Sequence, residues 1–117
     1  MSNMNENMND EEEEKDLLRM EIEELSDMLR NDETWEKLRE ILRARNIDAQ
    51  TTLLVSFMED DEDRELGVLV TAGRRVLQYK RNTAVDDAAS FEAVDITDQP
   101  DRLEDYPQVP LALKEYL

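Results

Sequence analysis

The first strong pattern in the chain is an apolar stripe with helical spacing. Four aliphatic residues recur at intervals of four, three and four, which places them on one face of an α-helix. We therefore predict a first helix over residues 12–30. The stripe suits either an internal core or a seam with a second copy of the chain, and its length of about two heptads favours the core. The stripe consists of Leu18, Ile22, Leu25 and Leu29.

A second amphipathic segment follows a short break. Asp32 is a suitable N-cap for a helix over residues 33–45. Trp35 is the only Trp and lies in phase with the apolar residues of this helix, so we expect it to be substantially buried where the helix meets the sheet. The predicted buried face consists of Trp35, Leu38, Ile41 and Leu42.

After Asn46 the pattern changes to alternating and β-branched residues, which indicates strands. The first three predicted strands form a meander, with a charged turn over residues 59–63 and a tight turn at Ala72 and Gly73. We expect Gly73 to supply the positive φ of that second turn. Residues 82–90 are predicted to form a polar loop. The four predicted strands cover residues 51–58, 65–71, 74–81 and 91–96.

These elements predict an α+β fold, in which two N-terminal helices pack on one face of an antiparallel sheet of three or four strands. The C-terminal segment is expected to be irregular around its prolines, with Pro110 starting a closing helical turn over residues 111–117. A length of 117 residues suits one compact domain. We assign it to residues 11–117, preceded by a disordered polar and acidic lead over residues 1–10.

Charge is the most unusual feature of the composition. Asp and Glu number 31 against 14 Lys and Arg, which gives a net charge of -17 that is shared by both halves of the chain. Such a surface repels nucleic acid and anionic lipid, and it favours partners with a basic surface. The bases are ten Arg and four Lys, and this acidic, Lys-poor composition is typical of cytoplasmic proteins of extreme halophiles.

The chain contains no Cys and no His, which excludes disulfides, thiol nucleophiles and every Ser–His or Cys–His catalytic arrangement. We therefore predict a protein that is not an enzyme and has no cofactor. The first residues lack the basic start and the apolar core of a signal peptide, and the apolar runs are too short to cross a bilayer. We expect a cytoplasmic protein that does not bind membranes.

Two patterns in the sequence resemble metal-binding sites, and the first is a calcium loop. The acidic turn places Asp61, Asp63 and Glu65 at alternate positions, as in a calcium loop, but Leu66 and Ala72 stand where that loop requires Gly and an acid. We therefore predict a solvated hairpin turn and no specific metal site.

The second alternative is a nuclease-like fold that uses magnesium. It requires Gln78 and Lys80 on one strand, Asp63 beside them, and Glu36 or Glu40 from the second helix. The Gln-x-Lys triplet is common, and a net charge of -17 opposes the approach of DNA.

The bases are gathered in two stretches, one in the second helix and one in the third strand. Facing together, they would form a positive window in an acidic surface; the alternative is that they pair with neighbouring acids such as Glu36 and Glu40, which we favour. Residues of the helical stretch are Lys37, Arg39, Arg43 and Arg45, and those of the strand are Arg74, Arg75, Lys80 and Arg81.

The sequence favours a non-catalytic protein–protein interaction or regulatory module, acting as a monomer or as a homodimer through helix one. The alternative is a nucleic-acid mimic from a phage or plasmid, which would occupy a basic DNA-binding site. A halophilic protein should need salt to fold, whereas a mimic should fold in dilute buffer and lose its partner as salt rises. The candidate partner-binding residues are Glu59, Asp60, Asp61, Glu62, Asp63, Arg74 and Arg75.

Overall fold

The computed structural model describes residues 2–84 and 90–117, with side chains described from Glu12 onward. Residues 85–89 of the predicted polar loop lie outside the described part. The predicted α+β class is confirmed, because helices surround an antiparallel sheet of four strands. In chain order the elements are α1 (Ser2–Asn31), a 3₁₀ turn (Glu33–Trp35), α2 (Glu36–Ala44), a 3₁₀ turn (Ala49–Thr51), β1 (Leu53–Glu59), β2 (Arg64–Val70), β3 (Val76–Asn82), β4 (Glu92–Asp95), α3 (Pro100–Leu103) and α4 (Gln108–Glu115).

Helix α1 begins well before the predicted residue 12, because the polar and acidic stretch ahead of it contains no Pro or Gly to end a helix. Its 30 residues rise about 45 Å. The molecule measures 58 Å in its longest dimension and 29 and 27 Å in the others. Among the described side chains, Arg19 is the most N-terminal one that bonds to another element. The expected mobility of residues 1–10 stays a prediction.

The second helix begins as predicted at Asp32. The carboxylate of Asp32 accepts a hydrogen bond from the Thr34 N–H at 2.9 Å, although the first turn is a 3₁₀ helix. This bond holds the pKa of Asp32 below its usual value. Trp35 is half-buried, and its ring centroid lies 4.7 Å from that of Phe57 on β1. The expected junction of helix and sheet is therefore present, with part of the indole left open.

The four strands form a meander in the order β1-β2-β3-β4. In the β2–β3 turn, the Thr71 N–H donates to the Arg75 carbonyl and the Arg74 N–H donates to the Thr71 carbonyl, each at 2.9 Å. The residue with positive φ is Arg74, at 64°, so the assignment of this conformation to Gly73 was wrong. Because Thr71 pairs with Arg75, three residues form the turn where two were predicted, and the left-handed Arg74 closes the turn at its last position.

The sheet carries helices on both faces, which corrects the prediction that two helices cover one face. Helix α4 packs on the first face and α2 on the second, while α1 runs along the edge strand β1 and contributes Ile22 to one core and Leu29 to the other. The first core contains Ile22, Leu53, Val55, Val68, Val70, Val76, Ile96, Val109 and Ala112; the second contains Leu29, Leu38, Ile41, Leu42, Ala49, Leu54, Leu69, Tyr79 and Phe91.

Helix α1 also protects the outer edge of β1. The Leu54 N–H donates to the buried Ser26 hydroxyl at 3.1 Å, and Arg30 Nη2 donates to the Thr52 carbonyl at 3.0 Å. An unpaired strand edge would otherwise be a template for pairing with another chain. The apolar stripe predicted in α1 is therefore used inside the molecule, since Ile22 and Leu29 are completely buried.

The C-terminal segment is more helical than expected: α4 overlaps the closing helical turn predicted over residues 111–117, and α3 forms where an irregular chain was predicted. Pro100 begins α3, Pro107 precedes α4, and Pro110 occupies the third position of α4. The first turn of a helix has no intrahelical partners for its N–H groups, so a Pro there removes no hydrogen bond. The prolines that suggested irregularity are thus compatible with two short helices.

Candidate functional site

The predicted acidic turn is a hairpin turn whose carboxylates partly shape the backbone. Asp60 Oδ1 accepts from the N–H groups of Glu62 and Arg64 at 2.9 and 3.0 Å, and Oδ2 accepts from Arg64 Nε at 2.6 Å. These bonds, led by the one from the Arg64 backbone, hold the pKa of Asp60 below its usual value. Asp63 has a φ of 62°, and its carbonyl accepts from the Thr83 N–H at 2.7 Å. The exposed remainder of the turn consists of Glu59, Asp61 and Glu62.

The predicted arginines lie at the other end of the sheet. Arg74 Nη1 donates to the Leu113 carbonyl at 3.1 Å, and Arg75 pairs with Asp95 at 2.8 Å. The hydrogen bonds of Thr97, followed by the pairing with Arg75, hold the pKa of Asp95 below its usual value. The seven residues of β2 separate Arg74 and Arg75 from the acidic turn by about 23 Å. The candidate partner-binding residues are therefore not one surface.

The residues of the nuclease hypothesis also lie apart. Gln78 donates to the Tyr106 hydroxyl at 2.8 Å and Lys80 pairs with Glu92 at 3.2 Å, both on the face that carries α4. Helix α2, with Glu36 and Glu40, packs on the opposite face. Within residues 2–84 and 90–117, no group of three or more acidic side chains is arranged to hold a metal ion.

The positive window, the less favoured of the two interpretations of these bases, is not assembled, because several of its members bond to backbone carbonyls of the fold. Arg39 Nη1 donates to the carbonyls of Leu29 and Asp32 at 3.0 and 2.8 Å. Arg45 donates to the Phe91 carbonyl at 3.0 Å and lies over the Phe91 ring at 5.1 Å from its centroid. Arg39 and Arg43 line a cavity of about 420 Å³ at the end of α2.

A buried polar network, which was not predicted, lies on the second face. Glu65 is only 4% exposed and accepts from the Tyr79 hydroxyl at 2.9 Å and from Arg81 Nε and Nη2 at 2.9 and 3.1 Å. Burial, followed by the negative charge of Glu65, raises the pKa of Tyr79, so the phenol stays protonated. The Tyr79 ring fills the space beside Gly67, where a Cβ atom would overlap it. The signal for this network in the sequence was Glu65 on one strand, with Tyr79 and Arg81 at alternate positions of the next strand.

The exposed large apolar side chains fall mainly into two groups. The first group, the open sheet end, lies on the α4 face beyond the reach of α4. Met58 and Leu66 are cross-strand neighbours, and Leu66 faces Lys80 in turn. The charges here are paired, as in Lys80 with Glu92 and Arg64 with Asp60. The open sheet end consists of Met58, Leu66, Lys80, Glu92 and Val94.

The second group, the outer stripe, runs along α1 opposite its buried face. Its apolar members are Leu17, 65% exposed, Met20, 54% exposed, and Met28. Glu13 and Glu24 alternate with them, and neither makes a hydrogen bond or ion pair with another described residue. The outer stripe consists of Glu13, Leu17, Met20, Glu24 and Met28, all of them exposed. The sequence signal was present in Leu17 and Met20, which lie out of phase with the core-facing stripe.

Comparison of this chain with protein-family models, with curated protein sequences and with solved structures found no match. None of the helices in the described residues is long and apolar enough to cross a membrane.

Proposed function

We propose that this protein is a non-catalytic interaction module that binds a basic, amphipathic helix of a partner protein through the outer stripe of α1. The observation that carries the proposal is the combination, on one exposed helix face, of unpaired carboxylates with the large apolar side chains of Leu17 and Met20. An exposed row of this kind gains more from a partner than from water, since a matching helix covers the apolar groups and neutralises the acids.

Charge and apolar contact would have different roles in such a complex. The net charge of -17 attracts a basic partner over long distances and raises the rate of association. Burial of the two apolar side chains then holds the complex, because a fully buried Leu or Met contributes about 1.5–3 kcal/mol. The position of Leu17 one turn from Met20 is suited to a groove between the ridges of a partner helix.

A second candidate is the nucleic-acid mimic, in which carboxylates alone take the place of phosphates. The observation that favours it is the run Glu12, Glu13 and Glu14, three exposed acids without partners among the described residues. The two functions differ in what the partner contacts. A mimic depends on charge and is indifferent to Leu17 and Met20, whereas the proposed module needs both.

The proposal can be tested with a synthetic amphipathic helix made of Leu and Lys, labelled with a fluorophore. Binding to the full chain is measured by fluorescence anisotropy at near-physiological salt. We expect the variant E13Q/E24Q and the variant L17S/M20S each to bind this probe about tenfold more weakly than the unmodified chain, a loss of about 1.4 kcal/mol.

Two matched controls decide between a specific surface and general attraction. D101N/E104Q removes the same charge from α3 and the residue that follows it, and M58S/V94S removes apolar groups from the open sheet end. Both variants should bind the probe within about twofold of the unmodified chain. If D101N/E104Q weakens binding as much as E13Q/E24Q does, the attraction is a general effect of net charge and the proposal fails. Loss in E13Q/E24Q without loss in L17S/M20S would favour the mimic.

A further inference from the structure

We propose that strand β4 pairs antiparallel with β4 of a second copy of this chain, which joins the two four-stranded sheets into one. β4 lies at the end of the strand order, so only its β3 side is paired within the chain. All of its residues are exposed. A free strand edge of this kind is a template for a further strand.

The backbone groups of β4 that face outward follow from the hydrogen bonds of the residue after it. The Ile96 N–H donates to the carbonyl of Val76, the first residue of β3, at 2.8 Å. In an antiparallel ladder, alternate residues direct their N–H and C=O groups to the same neighbouring strand. The N–H and C=O groups of Ala93 and Asp95 therefore point away from the sheet, where a further strand would lie.

The two edges of the sheet are protected to different degrees. The β1 edge is covered by α1, which bonds to it through Ser26 and Arg30. At the β4 edge, the bond from a described residue is that of the Gln99 side chain, which donates to the Asp95 carbonyl at 3.2 Å and leaves that oxygen a second lone pair. Residues 91–97 contain no Pro, Gly or Lys, the residues that commonly keep a strand edge from pairing.

The acids of β4 are paired within the chain, which favours a second copy over a basic strand of another protein. Glu92 pairs with Lys80 at 3.2 Å and Asp95 pairs with Arg75 at 2.8 Å. Arg75 also lies 3.8 Å from Asp98, whose side chain is 88% exposed. A basic strand would have to compete for carboxylates that already have cations, whereas a second copy brings its own paired charges.

The sequence of β4 is self-complementary in a register centred on Val94. In this register the two Val94 side chains lie opposite one another, and each Ala93 lies opposite Asp95 of the second copy. A cross-strand pair of β-branched residues is favourable, and it covers Val94, which is 47% exposed in the single chain. The outward groups of Ala93 and Asp95 then form about four hydrogen bonds across the seam. No acid of β4 lies opposite another acid.

Net charge opposes this dimer, and the opposition predicts its response to salt. The strand is short, so the seam is small, while two chains with a net charge of -17 repel one another over their whole surfaces. Added salt screens this repulsion and leaves the backbone hydrogen bonds in place. We expect the dissociation constant of the dimer to fall as sodium chloride is raised from dilute buffer, as measured by sedimentation equilibrium over a range of protein concentrations.

Charges placed at Ala93 test the register. A93K should strengthen dimerisation by about fivefold, because it places Lys opposite Asp95 of the second copy in both symmetric contacts, and A93E should weaken it by about as much. D61N is the matched control, since it makes the same change in net charge as A93K in the β1–β2 turn. It should alter the dissociation constant by less than about twofold. Weaker dimerisation of A93K, or an equal gain in D61N, would overturn the proposal.

The absence of Cys from the chain allows a direct test of the seam. V94C should form a disulfide-linked dimer on mild oxidation, because the two side chains lie opposite one another, about 5 Å apart between their Cβ atoms. E92C is the matched control on the same face of β4, and its two copies lie about 13 Å apart along the seam. Circular dichroism of each variant checks that the fold is retained.

Two outcomes of these measurements would overturn the proposal. Cross-linking of E92C as efficient as that of V94C would show contact without the predicted register. A chain that stays monomeric at the highest attainable concentration and salt, with its fold intact, would show that the β4 edge does not pair with a second copy and is left to an extended segment of another protein.

Discussion

The outer stripe of α1 and the open sheet end expose similar apolar side chains but treat their charges in opposite ways. At the sheet end, Lys80 pairs with Glu92 and Arg64 with Asp60, so positive and negative groups neutralise one another. On the outer stripe, Glu13 and Glu24 have no partner among the described residues. The charges of the open sheet end are therefore neutralised within the molecule, whereas those of Glu13 and Glu24 are not neutralised by any described residue.

This difference separates charges that support the fold from charges that are available for recognition. A paired or buried charge contributes to stability only while its partner is present, and its removal leaves the other member unsatisfied. An exposed, unpaired carboxylate in a chain with a net charge of -17 mainly adds repulsion, which lowers the stability of the folded state. Removal of a buried, paired charge in the sheet should therefore change stability strongly, and removal of a charge on the outer stripe should hardly change it.

The largest effect is expected at Arg81, which follows Lys80 on β3 and points to the opposite face of the sheet. The change Arg81→Met removes the cation that faces the buried Glu65 carboxylate, with the Arg81 side chain 13% exposed and that of Glu65 5% exposed. Breaking a buried pair of this kind costs about 3–5 kcal/mol, because one charge is left without compensation. Urea unfolding followed by circular dichroism measures the loss.

Two further variants sharpen this result. Lys80→Met breaks an ion pair whose side chains are 64% and 66% exposed, and it should cost less than about 1 kcal/mol. Glu65→Gln combined with Arg81→Met removes both charges and should recover part of the stability lost in Arg81→Met alone. Equal losses for Arg81→Met and Lys80→Met would show that burial does not distinguish the two pairs.

A smaller, pH-dependent effect is expected at Asp60 in the β1–β2 turn. The native hydrogen bonds lower its pKa, so its carboxylate stabilises the fold above the ordinary pKa of 3.8, and this contribution is lost as the pH falls through the lower native value. Asp60→Asn should therefore lower the melting temperature at pH 7 and have a progressively smaller effect below pH 3.8. Thermal melts of the unmodified protein and of Asp60→Asn, from pH 7 to below pH 3.8, measure the difference in melting temperature. Asp61→Asn, a neighbour without these bonds, is the matched control.

The sequence predicted the elements well because their signals are local. Hydrophobic spacing located α1, the Asp32 cap located the start of the second helix, and alternation located all four strands. Which face each helix covers is not a local property. Both faces of the sheet are apolar around β2, and α2 covers one face while α4 covers the other. The hydrophobic pattern of a helix does not indicate which of the two faces it covers.

The candidate site was harder to predict for the same reason. Arg74 and Arg75 look free in the sequence, yet they contact the Leu113 carbonyl and Asp95, and both partners come from far along the chain. A charge is recognised as paired or unpaired only after the chain has folded. The sequence therefore did not distinguish the unpaired Glu13 and Glu24 from the other acids of the chain, although it placed both of them in the first predicted helix.

The smallest effect is expected on the outer stripe, and it is the one that most directly tests the comparison. L17S/M20S changes two side chains that are 65% and 54% exposed, so the folded chain loses little buried apolar surface. The free energy of unfolding should therefore change by less than about 0.5 kcal/mol. E13Q/E24Q should be equally neutral or slightly stabilising, since it reduces the repulsion within α1. Urea unfolding at fixed salt measures both variants.

Ile22→Ala in the same helix is the positive control, because Ile22 is completely buried and its truncation should cost about 2–5 kcal/mol. Substantial destabilisation by L17S/M20S, in a chain that sediments as a monomer, would mean that the outer stripe packs inside the molecule. The unpaired surface would then belong to the fold, and the contrast with the open sheet end would disappear.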